Sequence, residues 1–66
     1  MSESLEPQIR RSLEVFRYNL EVTEKELEQL YAKEQLTYDE FRRKLRLETD
    51  RDELKLAIEN LERMLG

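Results

Sequence analysis

The chain has 66 residues, no cysteine or histidine, one glycine and one proline, and a net charge of −4; 38% of its residues are apolar and 42% charged. This excludes a disulfide-stapled fold, a Ser-His-Asp triad, a Cys-His pair and any imidazole acid–base catalyst, and it removes the two ligands that transition metals favour. A chain this short buries only about 60% of the surface that its unfolded form exposes, so association with another chain is the remaining means of stabilisation.

Residues 1–34 carry five basic and eight acidic side chains, and residues 35–66 carry seven and eight, for net charges of −3 and −1. Mild acidity on both sides argues against a generic nucleic-acid binder, while leaving room for a local basic patch. No run of about 18 apolar residues exists to span a membrane. The opening "MSESLEPQ" is too polar for a signal peptide, so the expected compartment is the cytoplasm.

Helix one is predicted over about residues 6–34. Ile9, Leu13, Phe16, Leu20, Thr23, Leu27 and Leu30 follow a 4-3-4-3-4-3 spacing, which is a heptad seam broken only by Thr23. Ser4 or Glu6 is a candidate cap. Pro7 then falls in the first turn, where its missing N–H has no helical acceptor to lose. Val15, Tyr18 and Val22 lie nearly opposite the seam and form a second apolar strip. Neither a hairpin nor a bundle easily covers that strip, which makes it a candidate partner-binding surface.

The corner is predicted at residues 34–37. Thr37, followed three residues later by Glu40, reads as a capping box, with Leu36 and Phe41 placed to staple the turn. Asp39 and Glu40 suit the positive end of a new helix. The surrounding "LEQLYAKEQLTYDEFRRKL", residues 27–45, resembles the short C-terminal helical module SHOCT. Leu27, Leu30, Leu36, Thr37, Glu40, Phe41 and Leu45 match its spacing. Glu34 and Gln35 stand where that family usually has a turn glycine, and about 20 residues follow where it normally ends. The resemblance covers less than a third of the chain; it implies an oligomerisation or binding role and no chemistry.

Helix two is predicted over about residues 38–65. Tyr38, Phe41 and Leu45 share one face, with Thr49 and Leu56 near it; Leu47, Leu54, Ile58, Leu61 and Leu65 share roughly the opposite one. Either the helix is continuous and apolar on two sides, or it breaks near "ETDRDE", where Asp50 and Glu53 could cap a further segment. None of Thr49, Asp50 and Asp52 is a helix breaker, which favours continuity.

The expected fold is thus all-α: a single antiparallel helical hairpin that dimerises into a four-helix bundle or coiled-coil assembly. Its expected oligomer core is Leu13, Phe16, Leu20, Leu27, Leu54, Ile58 and Leu61. The expected partner-binding set is Val15, Tyr18, Val22 and Leu56. No catalytic, cofactor or metal site is expected. Gly66 is the only glycine, so no glycine-rich loop cradles phosphates, and Glu14, Glu21 and Glu28 read as a solvated row pairing with neighbouring helices. The expected function is a non-enzymatic protein–protein interaction module, a regulatory, adaptor or inhibitor protein. The alternative is a nucleic-acid-binding bundle using Arg42, Arg43 and Arg46, whose competing role is to answer Glu24, Glu26, Glu28 and Glu48 across the hairpin.

Overall fold

A computed structural model describes residues 2–66, with side chains from Leu5 onward. Two helices, α1 (Ser2–Tyr31) and α2 (Tyr38–Leu65), pack against each other as a hairpin, and the described residues contain no strand. The molecule is a rod of 52 × 16 × 14 Å. Its radius of gyration, 15.3 Å, exceeds the roughly 11 Å of a compact domain of this length.

The heptad seam faces inward along its whole length. Leu13, Leu27 and Leu30 are buried, and Ile9, Phe16, Leu20 and Thr23 are half-buried. Opposite them α2 contributes buried Leu47 and Ile58, with Leu54, Leu61 and Leu65 half-buried. Leu27 is the most enclosed side chain, at 2% exposure, and packs with Leu30 and Leu47. Every residue of the expected oligomer core therefore already serves the chain's own hairpin. Thr23, the one polar seam residue, turns its hydroxyl back onto the Asn19 carbonyl at 2.8 Å, which satisfies it without a cross-helix partner.

The ends of α1 differ from the sequence expectation. It begins at Ser2, so Pro7 lies inside the helix, beyond its first turn. Glu6 is likewise inside α1 and pairs with Arg10 at 2.8 Å instead of capping. The other candidate cap, Ser4, lies outside the residues whose side chains are described. At its far end α1 stops at Tyr31 rather than at residue 34. Leu36, in the corner, packs against the Leu27–Leu30–Leu47 cluster.

Helix α2 starts at Tyr38 behind a complete capping box. The Glu40 amide donates to the Thr37 hydroxyl at 3.1 Å, and the Thr37 amide donates to the Glu40 carboxylate at 3.0 Å. Lys33 adds an ion pair to the same carboxylate. From there α2 runs unbroken through the "ETDRDE" stretch to Leu65. The Thr49 hydroxyl takes the helical option of donating to the Leu45 carbonyl. Gly66 closes the helix with φ +112°, a left-handed conformation that suits glycine, its N–H reaching the carbonyls of Glu62 and Arg63.

Because Thr37 accepts a helical amide that otherwise has no protein partner, Thr37→Ala should cost about 0.5–2 kcal/mol. Denaturant melts followed by circular dichroism measure it.

Candidate interaction surfaces

Turning both seams inward points the remaining apolar residues outward. On α1 these are Val15, Tyr18 and Val22, with Tyr18 66% exposed, besides Leu5 and Tyr31 at its two ends. On α2 they are Tyr38, Phe41, Leu45 and Leu56, with Tyr38 73% and Leu56 58% exposed, besides Met64 near its end. The four residues expected to bind a partner are all accessible, but they do not form one patch. Val15, Tyr18 and Val22 look away from α2, whereas Leu56 looks away from α1. Leu56 belongs with Tyr38, Phe41 and Leu45.

The basic residues Arg42, Arg43 and Arg46 come together with Asp39 around one open depression of about 360 Å³. They are not equivalent. Arg43 donates to Glu26 of α1 at 2.6 Å, and this contact raises its pKa and lowers that of Glu26. The Arg42 guanidinium lies 5.8 Å from the centre of the Tyr38 ring, and the Lys44 ammonium lies 5.2 Å from that of Phe41. Cations within about 6 Å of a ring centre are attracted to its face.

Of the four glutamates expected to meet this cluster, only Glu26 does so. Lys55 takes Glu24 and the Tyr31 hydroxyl takes Glu48. The other cross-helix clasp is Arg17 with Glu62 at 2.8 Å. In the heptad row of glutamates, Glu21 pairs within its own helix, with Lys25. These clasps are invisible to helical periodicity, because which level of α2 lies beside which level of α1 depends on where the corner falls. All involve exposed side chains, so each contributes little to stability.

Between the helices lies a groove of about 510 Å³ lined by Asn19, Thr23, Asp50, Glu53, Leu54 and Ala57. Small side chains at Thr23 and Ala57 leave it open. Among the described residues no cluster of three or more His, Cys, Asp or Glu side chains is placed to hold a metal ion. None of the described helices is long and apolar enough to cross a membrane. In comparisons with known proteins, the chain matches no family model, no curated protein and no solved structure.

The ionisable contacts set a pH profile. Lys33 first, then the Thr37 amide, hold Glu40 below the usual carboxylate value of 4.5, and Arg43 does the same for Glu26. A depressed folded pKa gives stability that is present above the unfolded value and lost as pH falls through the folded one. Tyr31 is shifted the other way, raised from 10.0 mainly by its hydrogen bond to Glu48. Its contribution is present below that value and lost as pH rises through the folded pKa. With neither histidine nor cysteine in the chain, no side chain titrates in between. The melting midpoint should therefore stay level from about pH 6 to 9 and fall on both sides. Thermal melts across pH 3–11 measure this profile, and a step near pH 6.5 would contradict it.

Proposed function

We propose that the hairpin is a non-enzymatic protein–protein interaction module, a small regulatory, adaptor or inhibitor protein that works as a homodimeric helical bundle by occupying a partner's surface. One observation carries this reading. The hairpin completes its own core and still presents apolar side chains, including two exposed tyrosines, on the outward face of each helix. Tyrosine supplies contact area with a polar tip and is enriched at interfaces. The similarity of residues 27–45 to the SHOCT module points the same way. A cytoplasmic setting is in keeping with the cysteine-free composition.

The α1 strip is the surface assigned to the foreign partner. Tyr18→Glu combined with Val22→Lys removes no core and should change stability by under about 0.5 kcal/mol per site. Capture of partners from the native host should fall sharply, because interface anchors often carry about 2 kcal/mol or more each. Unfolding of the double variant would place the strip in the protein's own core. A folded variant that recovers every wild-type partner would move the binding surface elsewhere.

A second reading, nucleic-acid binding, draws on the convergence of Arg42, Arg43 and Arg46 around one depression. Asp39 within the same depression and Glu26 on Arg43 weaken it. Salt-sensitive retention on heparin, lost on substituting Arg42 and Arg46, would favour this reading over the first.

A further inference from the structure

The outward strip of α2, Tyr38, Phe41, Leu45 and Leu56, has a form that the α1 strip lacks. At 100° per residue it lies about 160° round the helix from the Leu47–Leu54–Ile58 face that α1 covers. Along the helix Tyr38 and Leu56 are equally distant from residue 47, and so are Leu45 and Thr49, while Phe41 is level with Glu53. Charge is organised about the same midpoint. Within six residues of it, Arg42, Arg43, Lys44 and Arg46 precede, while Glu48, Asp50, Asp52 and Glu53 follow, interrupted only by Arg51.

The hairpin consumes few of these charges. Arg43 pairs with Glu26, and Arg51 with Asp52. Among the described residues, Arg42, Lys44, Arg46, Asp50 and Glu53 form no ion pair.

We propose that this face of α2 is the homodimer interface, with α2 of a second copy lying antiparallel across it about a twofold axis near residue 47. This interface rests on the homodimer reading above and specifies its surface. In that register Tyr38 meets Leu56 of the second copy, Lys44 lies level with its Asp50, and Arg42 lies one residue from level with its Glu53. A twofold axis repeats every such pair. A parallel arrangement would set the basic halves against each other, with a like-charge penalty. The exposed area is of the right size. The chain exposes 5497 Å², against about 4,500 Å² for a compact monomer of its mass. The surplus of roughly 1,000 Å² is comparable to the roughly 800 Å² that each partner buries in a standard interface.

The geometry also fixes the kind of assembly. In a closed four-helix bundle each helix meets its two neighbours at about a right angle. Contact faces about 160° apart instead set the helices in an open row, α1–α2–α2–α1. That row leaves Val15, Tyr18 and Val22 free at its two outer edges.

Sedimentation equilibrium on the full chain tests the interface. Wild type should have twice the monomer mass of 8.1 kDa. Arg42→Glu with Lys44→Glu should weaken the dimer about tenfold or more, since it brings like charges face to face. Adding Asp50→Lys and Glu53→Lys to the same chain leaves the net charge at its original value and should restore the dimer. Leu45→Glu should give a helical monomer, because Leu45 lies outside the hairpin core. A monomeric wild type across the micromolar range would overturn both the interface and the homodimer reading. A dimeric wild type that Leu45→Glu leaves dimeric, or whose charge reversal is not rescued by the swap, would overturn the interface alone.

Discussion

Leu27→Ala should cost about 2–5 kcal/mol, a large share of the chain's stability. Leu27 is 2% exposed and packs with Leu30 and Leu47, the cluster onto which Leu36 folds back from the corner. Truncating it removes apolar contact and opens a cavity where the two helices and the corner meet. A domain of this length has a total stability of roughly 3–10 kcal/mol, so one such loss removes a large part of it. Chemical denaturation followed by circular dichroism measures the effect, with Val22→Ala as the outward-facing control. Equal losses at the two positions would contradict the inward orientation of the seam.

Arg51→Pro is expected to be nearly as damaging, at about 3 kcal/mol or more. Its value lies in separating two forms of α2. If Asp50 capped a separate segment, residue 51 would be its first helical position, where proline is well tolerated. In the continuous helix Tyr38–Leu65 the same proline removes an interior hydrogen bond and clashes with the preceding turn. The Arg51–Asp52 pair lost with it is exposed on the aspartate side and contributes little. A melt close to that of wild type would mean that α2 is broken there.

Much of this architecture is legible in the sequence because helical periodicity is a local property. The seam from Ile9 to Leu30 needs only residue spacing to be seen, and the seam faces α2 throughout. Thr37 and Glu40 declare the start of α2 because a capping box is closed by groups three residues apart. Two opposite apolar faces on α2 are equally plain from spacing, and the one expected to be core, with Leu54, Ile58 and Leu61, is the one that α1 covers.

Only the tertiary structure decided how the residues left for partners are divided between surfaces. By covering Leu47, Leu54 and Ile58, α1 leaves Tyr38, Phe41, Leu45 and Leu56 outside and separates Leu56 from Val15, Tyr18 and Val22. The early end of α1 at Tyr31, with Leu36 packed against the core from the corner, is likewise a feature of the tertiary structure. The cross-helix pairs follow from that corner. Arg43 meets Glu26, Lys55 meets Glu24 and Arg17 meets Glu62 because the length of the turn sets the register of two antiparallel rods. Spacing along one helix fixes what lies on a face; the partner helix and the loop before it fix what that face meets.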